Sequence, residues 1–175
     1  MIEEYTIPLA KIIKELGLRE VHLPKPADEI LIRSRDVIRP GLELYGFCDY
    51  FDPHRITVLG RSEMAMLGSL GEEKKAAAID RFFALHPATV IVARDIDPCP
   101  FMRQAADKYQ IPLVSSKDST SNVVADLVSL LNVELAPRIT RHGVLIEVYG
   151  EGILLVGDSG VGKSETAIEL IKRGH

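Results

Sequence analysis

Apolar and polar positions along the first third of the chain switch between two periods. In residues 8–16, Leu9, Ile12, Ile13 and Leu16 fall on one helical face, with Pro8 at the first position and Gly17 as a stop. Pro24 and Pro26 then open a loop, residues 29–33 read as a strand, and Arg39-Pro-Gly41 reads as a turn. Residues 44–47 are apolar but too short to assign. Residues 55–59 alternate and read as a strand ending at Gly60. Ser62 is placed to cap a helix bearing Met64, Met66 and Leu67, which Gly68 and Gly71 should interrupt. From Glu72 to Leu85 a second helix is expected, with Ile79, Phe82 and Phe83 at the i, i+3, i+4 spacing, and His86-Pro87 should end it.

Two strand–helix units follow. Residues 89–93 form an apolar run typical of a buried strand, and residues 101–109 a helix with Ala105 and Ala106 facing a neighbour. Residues 112–115 predict another strand, and Ser119-Thr120-Ser121 offers caps for a helix through Val123, Leu127, Leu130 and Leu131. This rhythm implies right-handed crossovers and a partly parallel sheet. The pattern dissolves over residues 132–141. Val144, Ile146 and Val148 then mark a strand, Gly150-Glu151-Gly152 a turn, residues 153–156 the partner strand, and residues 163–173 a helix that Gly174 stops. The expected organisation is an α/β domain over residues 1–133 and the truncated start of a second domain over residues 134–175.

Composition narrows the function classes. Hydrophobic residues make up 46% of the 175, enough for a sizeable core. Aromatic residues are only 6% and Trp is absent, which disfavours base-stacking platforms. The net charge of −4 disfavours non-specific binding to a phosphate backbone. No nucleic-acid partner is therefore expected. No apolar run approaches the roughly 18 residues of a membrane span, and the start of the chain lacks a basic segment followed by an apolar one. Cys48 and Cys99 lie far apart, as two reduced thiols would. The expectation is a cytoplasmic protein with no membrane partner.

Chemistry enters at residues 157–164, Gly157-Asp158-Ser159-Gly160-Val161-Gly162-Lys163-Ser164, a full match to G-x-x-x-x-G-K-[ST]. A strand pattern precedes it and a helix pattern follows, the context the motif requires. Gly157, Gly160 and Gly162 let the backbone curl so that successive N–H groups cradle phosphate oxygens. The helix opening at Lys163 aims its positive end at the same anion. Lys163 supplies a mobile charge for the β- and γ-phosphates, and the Ser164 hydroxyl is placed to ligate Mg²⁺. The loop alone does not identify the phosphoryl acceptor. A nucleotide-binding domain also needs more strands than residues 134–175 contain, so the chain is expected to be a piece of a longer protein.

The residues around the loop resemble a specific family, the bifunctional HPr kinase/phosphorylases of bacteria. The resemblance rests on Ala136-Pro-Arg138, His142-Gly-Val-Leu145, Val148-Tyr-Gly150, Gly157 through Ala167, and Lys172-Arg-Gly-His175. Arg39-Pro-Gly-Leu42, Arg55-Ile56, Gly60 and Ile111-Pro-Leu113 extend it through the N-terminal part. Ile139, Arg141 and Tyr45 depart from the family pattern. The resemblance implies an N-terminal domain similar to a Mur-ligase substrate-binding domain, a P-loop kinase domain, and assembly as a homohexamer. It also implies use of ATP or pyrophosphate with Mg²⁺ to phosphorylate a serine of the phosphocarrier protein HPr, and phosphate-dependent reversal releasing pyrophosphate. By the same resemblance His142 and Lys163 match catalytic positions, residues 157–164 the nucleotide loop, and Ser164 a metal ligand. The family's catalytic aspartate and second metal carboxylate would fall beyond residue 175, so these residues alone are expected to be inactive as a kinase.

His142 also has a reading from its own position. It starts the hairpin whose second strand feeds the loop, so its imidazole is placed to reach bound phosphates or an acidic base. Other candidates favour ordinary roles. His22, His54 and His86 lack a second ligand at metal spacing, and Cys48 and Cys99 lack a nearby activating group in sequence. Asp95 and Asp97 follow a strand, where such residues cap or turn, and Glu72-Glu-Lys-Lys75 reads as a solvated face. Arg33, Arg35 and Arg39 would pair with Asp28, Glu29 or Asp36, or bind an anion. Two alternatives stand beside the HPr reading: a P-loop kinase of a small metabolite, and a non-catalytic regulatory or assembly module.

Overall fold

A computed structural model describes residues 5–175. They form two compact units that divide between Pro137 and Arg138. The first opens with β1 (Ile7–Pro8) and α1 (Leu9–Glu15), in which Pro8 precedes the helix as its cap residue and Gly17 follows at φ +58°. Leu9 and Ile12 are buried, Ile13 and Leu16 partly so. Next come β2 (Arg19–His22), β3 (Leu31–Ile32), β4 (Val37–Ile38) and β5 (Ile56–Leu59). The chain continues through α2 (Arg61–Ser69), α3 (Glu72–Phe83), β6 (Thr89–Val92), α4 (Pro100–Tyr109), β7 (Leu113–Ser115) and α5 (Thr120–Glu134).

The main sheet has the order β2-β7-β6-β5-β4. Its four strands β4 to β7 are parallel, and β2 closes one edge antiparallel to β7. The fold is α/β with a mostly parallel sheet. Helices cover both faces, and the core divides accordingly. On one side Ile56, Val58, Ile91 and Val114 pack against Leu9, Ile12, Val123, Leu127 and Leu131. On the other, Leu59, Val90, Val92 and Leu113 pack against Leu67, Ile79, Phe82, Phe83 and Met102. Fully buried strands of this kind are expected where crossover helices lie on both faces.

Several local expectations change. Residues 56–59 do not alternate in burial; all four are buried, because β5 is sandwiched between the two helix layers. Ser62 lies inside α2 and does not cap it. Gly60 is the cap residue, and the Glu63 carboxylate reaches back to the Gly60 N–H at 2.8 Å. Gly68 stays within α2, and the break falls at Leu70-Gly71. Residues 29–33 are mostly irregular: Ala27–Glu29 is a 3₁₀ turn, and only Leu31 and Ile32 pair, with β1. The strands β2 and β4 were not legible, being short and carrying little apolar periodicity. Residues 132–134, without a readable period, are the last turn of α5.

The second unit is a hairpin of β8 (Gly143–Val148) and β9 (Glu151–Val156), a loop, and α6 (Lys163–Lys172). The hairpin turns at Tyr149-Gly150, one residue earlier than Gly150–Gly152. Both residues sit at positive φ, +53° and +83°, as a primed two-residue turn demands, and Gly152 is already in β9.

Candidate functional site

The end of β9 delivers the chain into the loop of residues 157–162. Gly157, Gly160 and Gly162 adopt φ of +154°, +86° and +90°, the region that glycine enters without steric cost. Crowding adds to the demand at Gly157, where a Cβ would stand 3.1 Å from Val161 Cγ2. Gly162 is the residue before α6, and its carbonyl accepts from both the Thr166 N–H and the Thr166 hydroxyl, each at 2.9 Å. The backbone N–H groups of Gly162, Lys163 and Ser164 find no acceptor among the described residues. They are the orphan donors of a helix start, and with the helix dipole they make an anion site.

Lys163 is fixed across this loop. Its Nζ donates to the carbonyls of Gly157 at 2.8 Å and Asp158 at 2.7 Å. An ammonium has three N–H donors, so one remains for a ligand. The loop thus holds its own lysine in place while leaving it competent to bind an oxyanion.

His142 lies in the same hollow. A cavity of about 260 Å³ is lined by His142, Gly143 and Val144 from the hairpin and by Ser159, Gly160, Gly162, Lys163, Ser164 and Glu165 from the loop and helix. Gly143 lets β8 and β9 close at this end of the hairpin. It pairs with Val156, and a Cβ there would come within 2.7 Å of the Leu155 carbonyl. The unit therefore brings together His142, Lys163, Ser164 and most of the loop. Val161 points away, 62% exposed, and Gly157 and Asp158 contribute carbonyls to Lys163. The sequence reading missed Glu165, which lines the cavity directly after Ser164; its position in the first turn of α6 was the available signal.

The donor set fits a polyphosphate. Free N–H groups, one ammonium donor and a helix N-terminus are what phosphate oxygens require. The Ser164 hydroxyl at the cavity wall fits Mg²⁺, which takes few protein ligands and completes its shell with phosphate oxygens and water. No group of three His, Cys, Asp or Glu side chains able to hold a metal occurs among the described residues.

The remaining candidates take structural roles. Asp97 pairs with Arg103 at 2.8 Å and with Arg19 at 3.7 Å. Arg35 donates to the Leu135 carbonyl at 2.6 Å, and Arg55 pairs with Asp52 and Asp36. Arg39 pairs with Glu63, a partner outside the expected set. His86 stacks edge-on against Tyr109, with ring centroids 5.8 Å apart. Cys48 and Cys99 are free and partly buried. On the α3–α4 surface Asp80 accepts from Lys108 at 2.7 Å and from Tyr109 at 3.0 Å. The Lys108 hydrogen bond holds the Asp80 carboxyl below the usual carboxylate range, and Asp80 in turn raises Lys108. No helix among the described residues is long and apolar enough to cross a membrane.

The family model described as HPr Serine kinase N terminus matches residues 7–131, and the one described as HPr Serine kinase C-terminal domain matches residues 133–175. The HPr kinase/phosphorylase of Caldicellulosiruptor bescii is 43% identical over 167 residues, which are 95% of this chain and 54% of that protein. That of Lachnoclostridium phytofermentans is 37% identical over 171 residues, 98% of this chain and 55% of that protein. That of Leptospira biflexa is 48% identical over 145 residues, 82% and 45%. The chain spans about half the length of these curated relatives. Among solved structures, the CBS and DRTGG domains of the regulatory region of Clostridium perfringens pyrophosphatase, complexed with the activator diadenosine tetraphosphate, match with a TM-score of 0.53. The match covers 74% of this chain and 50% of that one at 12% identity, a likeness of fold alone.

Proposed function

The chain belongs to the HPr serine kinase family, and from that premise we propose that residues 157–164 hold the phosphates of ATP or pyrophosphate for transfer of a phosphoryl group to a serine of HPr. In the reverse reaction an oxygen of inorganic phosphate attacks the phosphorus of the serine phosphate, the P–Oγ bond breaks, the serine oxygen leaves and takes up a proton, and the new P–O–P bond makes pyrophosphate. The observation that carries this reading is Lys163. Two of its donors are fixed on the Gly157 and Asp158 carbonyls, and the third is left for a phosphate oxygen beside the free N–H groups of the loop. Charge developing on the transferred group is stabilised by this lysine and by the α6 N-terminus, the terms that dominate phosphoryl transfer.

His142 sits in the cavity of Lys163 and Ser164, where its imidazole can hydrogen-bond to a phosphate oxygen or, protonated, pair with an acidic base. Ser164 would hold Mg²⁺, which neutralises charge on the phosphates when bound. The partners in this reading are HPr and further copies of the same chain in a homohexamer, and the setting is the cytoplasm.

The test is the intact mass of HPr after incubation with Mg-ATP and the full-length protein that contains these residues. One added phosphoryl group is expected, absent when the acceptor serine of HPr is changed to Ala and absent with Lys163→Met. ATP bound without a mass gain on HPr, together with transfer to a small acceptor, would assign the loop to a small-metabolite kinase instead.

A further inference from the structure

The first unit carries a second gathering of donors, far in sequence from the nucleotide loop. Because β4, β5, β6 and β7 run parallel, their carboxyl ends share one edge of the unit. Two helices begin there from opposite faces, α2 after β5 and α5 after β7. Their starts touch: a Cβ on Gly60 would stand 2.3 Å from Thr120 Oγ1. Thr120 is 5% exposed, and its hydroxyl makes no hydrogen bond among the described residues. Among the described residues the side-chain polar atoms sealed from water without a partner are His22 Nε2 and Thr57 Oγ1, so the Thr120 oxygen keeps access to solvent from the groove that Thr120 lines.

Arg39, the first residue past β4, completes the arrangement. Its guanidinium donates to Glu63 Oε1 at 2.8 Å, while Glu63 Oε2 accepts from the Gly60 N–H at 2.8 Å. Glu63 is buried, and both of its oxygens are occupied in holding Arg39 against the start of α2. Arg39 itself remains about half exposed, with further N–H donors free to act. It borders a groove of about 620 Å³ along α5, shared with Thr120, Ser121, Val124 and Val128. One end of the groove is therefore cationic and hydroxyl-lined, and Val124, Ala125 and Val128 line its length, with Ser129 at the far end. Arg61, Arg94 and Lys117 follow β5, β6 and β7 at the same edge, exposed and without an ion pair among the described residues. Asp95 and Asp118 share that edge, so with Glu63 the bases exceed the acids there by one, in a chain whose net charge is −4.

We propose that this groove binds a small organic phosphate, and that the N-terminal unit is a ligand-binding module distinct from the nucleotide loop. The phosphate takes the Thr120 hydroxyl, Arg39 and the free N–H groups opening α5, and the carbon body lies over Val124 and Val128. A bare anion would use only one end of the groove, whereas a phosphate ester uses both.

The test uses the chain carrying Lys163→Met, so that the nucleotide loop is silenced throughout, with AMP as the probe. Expected are shifts of the Val124 and Val128 methyl resonances on adding AMP, reversed by excess inorganic phosphate. Thr120→Val should weaken AMP binding about tenfold or more, the worth of a hydrogen bond to a charged group. Val128→Asp, at an exposed position that leaves the core intact, should do the same. Methyl resonances unmoved by saturating AMP, or AMP affinity unchanged in both variants, would overturn the proposal. Neither outcome bears on the loop's role, because Lys163 is absent from every sample.

Discussion

The two units solve the burial problem to very different degrees. The N-terminal unit places a sheet between two helix layers, and each layer has its own set of fully buried side chains. In the C-terminal unit only Ala167 is buried, while Leu145, Val156, Ile168 and Ile171 are all more than half exposed. The unit with the larger core carries no contiguous phosphate-binding loop, and the unit with that loop has almost no core. A phosphate loop is made from local backbone conformation, so a hairpin and one helix can shape it. Holding that shape against thermal opening needs apolar burial, which those residues supply only sparingly by themselves.

Substitutions should separate the units cleanly. The largest effect is expected at Phe82, 1% exposed and in ring contact with Phe51 and Phe83. Phe82→Ala should cost about 3–5 kcal/mol, the range for truncating a buried aromatic. Ile171→Ala, in the C-terminal unit and 61% exposed, should change stability by about 0.5 kcal/mol or less. Urea unfolding followed by circular dichroism reads both. Equal losses would mean that the C-terminal unit is packed in solution far more tightly than its exposure indicates.

A smaller effect tests how the N-terminal unit closes. Gly60→Ala would drive a methyl into Thr120 Oγ1 and toward Glu63 Oε2, at 2.3 Å and 3.2 Å. A loss of about 1–3 kcal/mol is expected for such overpacking. Adding Thr120→Ala should return much of it, which a double-mutant cycle would show as coupling. Additive losses would mean that Gly60 is needed for something other than this contact.

These residues also mark where sequence reading stops. The loop at 157–164 was legible because its chemistry is contiguous: glycines, lysine and serine must be neighbours to wrap one phosphate. Residues 55–59 were legible as a strand by alternation, 89–93 as an apolar run and 112–115 as a further strand, and the helices between them by their period. The grouping of Arg39, Gly60, Glu63 and Thr120 was not. It joins the ends of separate strands and helices, and only the parallel pairing of β4 with β5 brings Arg39 beside α2. The same holds for β2, whose pairing with β7 follows from a free sheet edge and not from any pattern in residues 19–22. Ser62 was misassigned for a related reason. Glu63 reaches back over it to the Gly60 N–H, so the cap comes from the third residue of the helix.

At Ser119 the expected cap forms, its hydroxyl accepting the Asn122 N–H at 3.2 Å. Ser119→Ala should cost about 1 kcal/mol. Ser119→Asp should recover it, since a carboxylate at that position accepts the same bond and favours the helix dipole. Thermal melts of the three proteins give the comparison, and an unchanged melt in the Ala variant would mean that water caps α5 equally well.

The smallest expected effect is electrostatic and lies on the exposed α3–α4 surface. Asp80 titrates below its ordinary value, chiefly because of the Lys108 hydrogen bond, with Tyr109 adding a second. A carboxylate whose folded pKa is depressed contributes stability above its unfolded pKa, about 3.9, and loses it as pH falls through the lower folded value. Lys108 is raised by the same contact, so its share is present below its unfolded pKa and lost as pH climbs through the folded one. The pair should therefore act across the whole neutral range and fail only at its two extremes. Solvent screening keeps the contribution small at such an exposed site. Carboxyl NMR titration should give Asp80 a midpoint below the ordinary aspartate value, and Lys108→Met should move it upward. A midpoint indifferent to Lys108→Met would show that the contact does not persist in solution, leaving the α3–α4 surface to be held by the apolar contacts beneath it.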